Sequence, residues 1–514
     1  MTTGSVPYSD LPQTSRLFAD YTEHFDLVAR FYAWPPGDAA SYAAAASRME
    51  YPVERRAALV EALREQNGAG PAVETLAQPG SVAVVTGQQV GLFGGPCYAI
   101  YKALTAVQLA RRLSEAGLPT APIFWLATED HDFAEVNHCF VFDRANQPVR
   151  LEIAGTNSER QPVGEIPIGD PPLDELRQAL GELPFGGETV ALVADSYAPG
   201  ATFGSAFARL MKRLLPELLY LDPLRPAMRR LMAPLLAQAV EAAPRLAARI
   251  AERDRELVAA GYHAQVHLEE HTSLVFLLKN DRRLTLDRRD AGYAGLSDHA
   301  GQLSPNALLR PVVQDYMLPT VGYVGGPAEV AYFAQSQAIY AELRRPMPVI
   351  VPRASATLLD ARSAKLMARY GLALPDFFQG EEPVRERIAR TLVPPELAAT
   401  FEGTKSASAQ ALDSLGAALA AFDPTLATAL ATSRRKIDWQ LAKLERKAAR
   451  EALRRNERAA GDAAGLNGLI YPARHLQERF YSILPFLARY GPGLMERLGS
   501  DLTPDSAGHR AIVL

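Results

Sequence analysis

The sequence predicts an α/β protein with a doubly wound parallel sheet and a mostly helical C-terminal part. Short runs rich in valine and isoleucine alternate with helical periodicity at 82–126 and again at 305–351, as in parallel strands joined by helices. Residues 426–448 instead carry apolar side chains at steps of three and four, which is typical of a coiled coil. The chain has 514 residues, 48% of them hydrophobic, so it can bury a sizeable core.

The N-terminal part is predicted to pass from helices to a strand–helix–strand unit. The predicted elements are helices within 13–67 with a break at 34–37, a strand at 82–86, a helix at 98–113 and a strand at 122–126. One helical stripe is predicted to be buried, through Val53, Ala57, Val60 and Leu63. Strand, helix and strand in this order predict a right-handed parallel crossover.

The middle of the chain, residues 143–300, is predicted to be an insertion that carries one core strand near 218–222. Its predicted elements are strands at 149–153 and 165–168, helices at 173–180, 203–215 and 226–260, and a hairpin. Asn280 and Asp281 stand between the two apolar runs of that hairpin, and these residue types are favoured in tight turns.

From residue 301 the strand–helix alternation returns, with strands at 320–324 and 348–351 and a helix between them. A helical hairpin is predicted further on, its second arm starting at Asp423 and Pro424, with ten basic residues against four acidic ones at 433–458. For that basic run, a solvated flank is favoured over phosphate binding.

The predicted domains are an N-terminal helical segment at 1–78, two core halves at 79–142 and 301–390, the insertion at 143–300 and a helical coiled-coil region at 391–514.

Charge and composition disfavour several classes of function. The chain has 54 basic and 58 acidic side chains and a net charge of −4, so we expect no nucleic-acid partner. We find neither a secretory signal at the start nor an apolar run of the ~18 residues that a membrane span needs, and expect no membrane partner. The two cysteines, Cys97 and Cys139, cannot form a disulfide framework, which favours a cytoplasmic protein.

The most informative motif is a glycine-rich turn at 86–96, between the first sheet strand and its helix. Pro96 is expected at the first helical position, so that free amides and the helix dipole behind it can bind an anion. Lys102 is expected to reach back to the same anion. The candidate ligand-binding residues here are Gln88, Gln89, Gly91, Gly94, Gly95, Pro96 and Tyr98. The spacing matches neither a Walker loop nor a dinucleotide fingerprint, and a turn whose glycines serve only its geometry is an equal alternative.

A second strand-to-helix turn, Gly325-Gly326-Pro327, repeats this arrangement. Glu329 in the following helical turn either complements the helix dipole or holds a substrate amine. Two such turns at the carboxyl ends of parallel strands would flank one crevice, where open α/β sheets bind ligands. The candidate residues of this turn are Tyr323, Gly325, Gly326 and Glu329.

A cluster of acidic residues and a histidine directly follows the second sheet strand. The candidates in it are Glu129, Asp130, His131, Asp132 and Asn137. The carboxylates are expected to raise the proton affinity of His131, and the cluster can supply a general base or bind an ammonium group. Asp132 and Glu135 also fit a capping box for a helix running through His138. A metal site from His131, His138 and a carboxylate matches no standard zinc spacing, and we predict no metal.

Arg353 follows the last predicted sheet strand, where its guanidinium can bind a carboxylate or phosphate with help from the Ser355 hydroxyl. Thr357 with Asp360 is equally compatible with a capping box. Cys97 stands at a helix start that is expected to lower its pKa. Since no basic partner is evident, a packing role is favoured for this thiol.

Five segments spread over nearly the whole chain resemble one known family. They are TGQQVGLFGGPCYAIYKA from Thr86, FWLATEDHDFAEVNH from Phe124, LSPNALLRPVVQDYMLPTVGYVGGPAEVAYFAQ from Leu303, VPRASATLL from Val351 and LQERFYSILPFLARYG from Leu476. In these segments the chain resembles the BshC family of cysteine-adding enzymes of bacillithiol biosynthesis. The resemblance implies a Rossmann-like core with connecting-peptide insertions and a C-terminal coiled coil, commonly in a homodimer. It also implies the last pathway step, in which L-cysteine is joined to the amine of glucosaminyl-malate.

The leading hypothesis is therefore an amide-forming ligase. Activation of a free carboxylate suggests ATP, with Mg²⁺ as its counter-ion. We expect His131, Lys102 and Asp130 to be catalytic, and Arg353 to bind the malyl carboxylate or a leaving phosphate. An alternative is a nucleotide-sensing coiled-coil scaffold that assembles the pathway without catalysing the step. The net charge disfavours a synthetase that acts on tRNA.

Overall fold

The structure is a computed structural model that describes residues 2–155, 160–269, 271–290, 292–505 and 507–514. The chain forms two compact units. The first comprises Met1–Leu358 and Leu476–Ile512, and the second comprises Leu359–His475 and Val513–Leu514. The finer division into five segments stays a prediction.

Five parallel strands form the central sheet of the first unit, in the order Val349–Pro352 (β11), Thr320–Gly325 (β10), Val82–Gln88 (β2), Thr120–Leu126 (β3) and Leu219–Leu221 (β6). The strands are β1 Thr2–Val6, β2 Val82–Gln88, β3 Thr120–Leu126, β4 His138–Phe142, β5 Pro148–Glu152, β6 Leu219–Leu221, β7 Thr272–Lys279, β8 Arg282–Asp287, β9 Leu303–Pro305, β10 Thr320–Gly325, β11 Val349–Pro352, β12 Ser355–Leu359 and β13 His509–Val513. When these five strands are renumbered 1 to 5 along the chain and the sheet is read from β6 to β11, the order is 3-2-1-4-5. This is the arrangement of a doubly wound fold. The predicted fold class is thus confirmed, and its topological switch point lies between β2 and β10.

Helices pack against this sheet and also form most of the second unit. They are α1 Arg16–Glu23, α2 Ala39–Ser47, α3 Val53–Asn67, α4 Pro71–Ala77, α5 Cys97–Glu115, α6 Phe133–Val136, α7 Leu173–Leu180, α8 Gly186–Ser196, α9 Phe203–Leu214, α10 Pro226–Glu241, α11 Ala243–Ala259, α12 Arg310–Met317, α13 Pro327–Glu342, α14 Ala361–Tyr370, α15 Leu374–Phe377, α16 Glu381–Thr391, α17 Pro395–Phe422, α18 Leu426–Arg454, α19 Glu457–Ile470, α20 Gln477–Phe480, α21 Leu484–Tyr490 and α22 Leu494–Asp501. In the sheet core, Ala106 and Leu109 of α5 share a buried cluster with Val84 and Val324. This burial fixes α5 over the sheet and so directs its first turns toward the carboxyl ends of the strands.

Three predicted features of the first unit are wrong. The stripe of α3 is rotated: Val60 and Leu63 are buried as predicted, but Val53 and Ala57 are exposed. The strand predicted at 165–168 is a 3₁₀ turn and an isolated bridge at Pro167, which has no N–H for a ladder. The single helix predicted at 226–260 is two helices, α10 and α11, with a proline in the first turn of α11.

The predicted hairpin of the insertion is present. Strands β7 and β8 pair antiparallel, and Asn280 and Asp281 at their turn have φ angles of 52° and 55°, the left-handed conformation that tight hairpins need. Strand β9 pairs with the other edge of β7. The hairpin matters for the site because β8 carries Arg283.

In the second unit, α17 and α18 form a helical hairpin, as predicted. Arg434 of α18 is ion-paired with Asp413 of α17, and the Lys405 ammonium lies 2.7 Å from the Glu445 carboxylate. The predicted start of α18 is wrong by two residues, because Asp423 accepts a bond from the Thr425 amide and the helix begins only at Leu426.

Among the residues that the structure describes, no helix combines the length and hydropathy that a bilayer crossing requires.

Candidate active site

A cavity of about 420 Å³ lies beyond the carboxyl ends of β2, β3 and β10, at the switch point of the sheet. It is lined by Gly87, Gln88, Gln89, Tyr98, Lys102, Trp125, Ala127, Asp130, Glu135, Arg310, Tyr323, Gly326, Pro327, Ala328, Glu329, Tyr332, Arg353 and Arg479. Seven of these side chains are charged. Two larger cavities, of about 550 and 640 Å³, each have only three charged side chains among their described lining residues. Charge and position in the fold therefore favour the smaller cavity as the site of chemistry.

A buried lysine forms the floor of this cavity. The side chain of Lys102, on α5, is 2% exposed, and its ammonium lies 2.6 Å from Glu329 Oε2 and 3.2 Å from Gln88 Oε1. It also donates to the Gly87 carbonyl. Burial lowers the pKa of Lys102 below its ordinary value, against the attraction of the Glu329 carboxylate. Because all three N–H groups are used within the protein, Lys102 holds the ends of β2 and α13 together.

The carboxylate of Glu329 is held by three donors at the start of α13. Besides Lys102, the Gly326 amide donates to Oε2 over 2.8 Å and the Tyr323 hydroxyl donates to Oε1 over 2.6 Å. Burial alone would raise the pKa of Glu329, but Lys102, Gly326 and Tyr323 together lower it below its ordinary value. Glu329 thus complements the helix dipole, and the amine that it holds is the protein's own lysine.

Three guanidinium groups face the same cavity. Arg310 donates to the Tyr332 hydroxyl over 2.7 Å. The guanidinium carbons of Arg353 and Arg479 lie 5.6 and 5.9 Å from the centre of the Tyr98 ring. Such groups bind carboxylates and phosphates through paired N–H donors, so this part of the cavity is suited to an anion.

Two carboxylates line another part of the cavity. Asp130 follows β3, and its Oδ2 accepts a 2.6 Å hydrogen bond from the Gln89 side-chain amide. The same amide donates to the Glu135 carboxylate, so one glutamine holds both acids in place. A site with carboxylates and guanidiniums fits a ligand that carries an amine together with carboxylate or phosphate groups.

His131 does not line the cavity and has a different environment from the one predicted. Its Nδ1 lies 3.4 Å from Nη1 of Arg283, which the insertion hairpin supplies, and 3.7 Å from Asp130. Burial and Arg283 lower the pKa of His131 despite Asp130, so the expected gain in proton affinity is wrong. Since a guanidinium can only donate, Nδ1 accepts, and the neutral ring carries its proton on Nε2. Asp130, which does line the cavity, is therefore the base candidate.

Two family models match the chain: the bacillithiol biosynthesis BshC N-terminal Rossmann-like domain at residues 1–354 and the BshC C-terminal coiled-coil domain at residues 356–514. A curated relative from Solibacter usitatus is 55% identical over 99% of both chains. A relative from Koribacter versatilis is 36% identical over 99% of both chains. A relative from Salinibacter ruber is 33% identical over 96% of both chains. All three are named "Putative cysteine ligase BshC".

This chain belongs to the BshC family. The resemblance stated from the five sequence segments is confirmed over the full length, and so are the Rossmann-like and coiled-coil domains. The names of the relatives and of the family support a ligase of bacillithiol biosynthesis for the family.

In this BshC family member, nine of the residues predicted for the site line the cavity. They are Gln88, Gln89, Tyr98, Lys102, Asp130, Tyr323, Gly326, Glu329 and Arg353. They come from four separate stretches of the chain that the parallel sheet brings to one edge. The second glycine turn thus lies at the cavity as expected.

Of the first glycine turn, Gly87, Gln88 and Gln89 line the cavity, but its glycines from Gly91 onward do not. Gly91, Gly94 and Gly95 are buried, and the φ angles of Gly94 and Gly95 are +89° and +66°, so these glycines serve the geometry of the turn. Pro96 caps α5 rather than starting it, and the Cys97 amide donates to the Tyr481 carbonyl over 2.7 Å. The Cys97 amide is therefore not available to an anion at this turn. Burial also raises the pKa of the Cys97 thiol, opposite to the expectation.

Other predicted residues of the acidic cluster have structural roles outside the cavity. Glu129 is buried against Arg229. Asp132 caps α6 by accepting from the Glu135 amide over 3.4 Å, but the Glu135 side chain turns to Gln89, so the capping box is not closed. Helix α6 ends at Val136, short of the predicted His138, because His138 begins β4. Among the described residues, no group of three or more His, Cys, Asp or Glu side chains is arranged to hold a metal ion.

Asn137, Gly325 and Ser355 also lie away from the cavity lining. The Asn137 amide donates to Glu152 and to the Ile153 carbonyl, which ties it to β5 and the residue that follows. A Cβ on Gly325 would come within 3.0 Å of the Glu329 Cβ, so this glycine permits close packing. Ser355 is buried and bonded to Glu478 and His509. Its neighbours Thr357 and Asp360 form no capping box, because Thr357 is bonded to His509 and Asp360 accepts from the Ser363 amide.

Several lining residues were not among the predicted site residues. They are Gly87, Trp125, Ala127, Glu135, Arg310, Pro327, Ala328, Tyr332 and Arg479. The two arginines missed, Arg310 and Arg479, both stand inside segments that resemble the family. Each is separated along the chain from the glycine turns and from the acidic cluster, so its place in such a segment is its signal in the sequence.

Proposed function

We propose that this chain is a cytoplasmic ligase that joins L-cysteine to the amine of glucosaminyl-malate through an amide bond, as the last step of bacillithiol biosynthesis. The observation that carries the proposal is the cavity at the switch point of the sheet, with carboxylates and guanidiniums on its walls. Both substrates carry an amine and at least one carboxylate, so their charges are complementary to those of the cavity. Family membership supports the coarser statement that the chain is a ligase.

The charged side chains of the cavity have different roles in this proposal. Arg353 and Arg479 bind anionic groups of the substrates, and Asp130 receives the amine. As the amine nitrogen bonds to the cysteine carboxyl carbon, the bond from that carbon to the leaving group breaks. The nitrogen loses a proton to Asp130, which Gln89 holds in position over 2.6 Å. Lys102 and Glu329 keep the floor of the cavity rigid and do not contact substrate.

A free carboxylate is a poor electrophile, and ATP with Mg²⁺ is the co-substrate that we propose. When bound, it supplies the leaving group that the carboxylate lacks. The carboxylate of Glu329 already occupies the start of α13, so the phosphates would bind Arg310, Arg353 and Arg479 instead.

The deciding experiment incubates the purified chain with L-cysteine and glucosaminyl-malate, with and without ATP and Mg²⁺, and analyses the products by mass spectrometry. We expect the amide product only when ATP is present, and none when L-serine, the matched control without a thiol, replaces L-cysteine. Product without ATP would contradict the co-substrate. No product under any condition would contradict the ligase and favour the scaffold alternative.

We also propose that the chain is a homodimer through the α17–α18 hairpin. Ile437 and Leu444 of α18 lie seven residues apart on one helical face and are 38% and 53% exposed, which is costly for large apolar side chains in water. We expect Ile437→Glu with Leu444→Glu to convert a dimer to a monomer in size-exclusion chromatography with light scattering. Gln440→Glu, which adds charge without removing an apolar side chain, should leave the dimer intact. A monomeric parent chain would contradict the proposal.

A further inference from the structure

A buried polar cluster lies behind the arginine side of the cavity, built from Glu478 of α20, Ser355 and Thr357 of β12, and His509 of β13. We call it the Glu478 cluster. The Glu478 side chain is 1% exposed, and its Oε1 accepts from Arg353 Nη2 over 2.6 Å and from the Ser355 hydroxyl over 2.9 Å. Its Oε2 accepts from the Ala356 amide over 2.9 Å. No predicted site residue other than Ser355 and Arg353 touches this carboxylate.

The hydrogen bonds of the cluster all run toward Glu478. Because a carboxylate only accepts, the Ser355 hydroxyl donates its one proton to Glu478 and must accept from His509 Nδ1, 2.7 Å away. Nε2 of the neutral ring then accepts from the Thr357 hydroxyl over 2.8 Å. Burial lowers the pKa of His509 to about 4, so the ring is neutral near pH 7. This single pattern of donors stabilises the negative charge on Glu478.

The negative charge in turn fixes the direction of one cavity arginine. Arg353 Nη2 donates to the Glu478 carboxylate, and Arg353 Nη1 donates to the Ala354 carbonyl over 3.0 Å. The main-chain amide of Arg353 donates to the Gly325 carbonyl over 2.9 Å. The side chain is 5% exposed and yet still lines the cavity. A buried guanidinium held on two sides presents its remaining donors in one orientation.

We propose that Glu478 is a positioning residue: it orients the Arg353 guanidinium so that this group binds an anionic group of the substrate, a carboxylate or a phosphate. Glu478 itself does not touch substrate. The turnover readouts below rest on the proposed ligase function, whereas the binding readout does not.

The test compares Glu478→Gln, Arg353→Met and the double variant. Glutamine keeps the shape of the side chain and removes its charge. We expect Glu478→Gln to raise one KM about tenfold and to lower kcat by no more than about threefold, because the loss is in binding. A higher KM for glucosaminyl-malate assigns Arg353 to a carboxylate, and a higher KM for ATP assigns it to a phosphate. If Glu478 acts through Arg353, the double variant binds no more weakly than Arg353→Met alone.

Asp462→Asn is the matched control, since Asp462 is also a buried carboxylate bonded to an arginine, Arg362, and neither lines the cavity. It should lower stability and leave every KM unchanged. The proposal would be overturned if Glu478→Gln weakened binding as much in the Arg353→Met variant as in the parent chain. It would also be overturned if Glu478→Gln lowered stability and left every KM unchanged. Should Glu478→Gln fail to fold, Ser355→Ala removes one donor to the same carboxylate, and an unchanged KM in that variant would also overturn it.

Calorimetric binding of glucosaminyl-malate and of ATP separates this proposal from the ligase function. If the parent chain binds either compound but makes no product, the ligase function fails, and weaker binding by Glu478→Gln still supports the positioning role. If the parent chain turns over and Glu478→Gln binds both compounds as tightly as the parent, the ligase function stands and the positioning role fails.

Discussion

Replacing Lys102 by methionine is expected to lower the free energy of unfolding of the first unit by about 3 kcal/mol and turnover at least about a hundredfold. The substitution keeps most of the side-chain volume and removes the ammonium that bonds Gly87, Gln88 and Glu329. The Glu329 carboxylate then lies largely buried without its cation. The hydrogen bonds through which Lys102 connects the end of β2 to the start of α13 are lost as well. Urea unfolding measures the first effect, and product formation by mass spectrometry measures the second.

Two further variants separate stability from function in this experiment. In Lys102→Met with Glu329→Gln, the unpaired charge is gone, so we expect most of the lost stability to return while turnover stays low. Lys405→Met removes a lysine that is 34% exposed and paired with Glu445, and it should cost less than about 1 kcal/mol. Unfolding of Lys102→Met at the free energy of the parent chain would show that the buried ion pair is not stabilising.

Replacing Asp130 by asparagine is expected to lower kcat by about a hundred- to ten-thousand-fold, the range for loss of a general base. The amide keeps the size of the side chain but cannot take the proton that the amine releases. Initial rates over a range of both substrates measure kcat and KM separately, and KM should change much less than kcat.

The control for this substitution is Asp143→Asn. Asp143 accepts from the amides of Ala145 and Gln147 in the β4–β5 turn and does not line the cavity. It should keep the parent kcat. If Asp130→Asn also keeps it, the amine loses its proton to another group, and Glu135, the second carboxylate that Gln89 holds, becomes the next candidate.

The order of strands and helices in the core was predictable because it depends on local patterns. Apolar runs such as 82–86 and 320–324 are long enough to mark buried strands, and the glycine turns after them mark the crossovers. The hairpin at Asn280 and Asp281 was predictable for the same reason, since its turn conformation is a property of those two residues. The errors, such as the strand predicted at 165–168, occurred where a short pattern fits more than one structure.

The site was only partly predictable, because its contacts join residues that are far apart in the chain. Lys102 was expected to reach an anion bound at the first glycine turn, yet its ammonium is paired with Glu329, 227 residues away. The direction of the pKa shift of His131 was mispredicted because burial and Arg283, which approaches from the insertion 152 residues away, both lower that pKa. No local pattern carries such information, since a pKa depends on every group that packing brings near.

By itself, the sequence determined the class of fold, the turn at Gly325–Pro327 beside the cavity and the family to which the chain belongs. These depend on periodicity, turn chemistry and motifs that are local in the chain. Tertiary structure alone decided that Gly91, Gly94 and Gly95 lie outside the cavity lining and that the Cys97 amide beside them donates to the Tyr481 carbonyl. It also decided which arginines face the ligand, since the direction of Arg353 depends on Glu478, 125 residues further along the chain. Burial and charge act through space, and only the folded chain sets those distances.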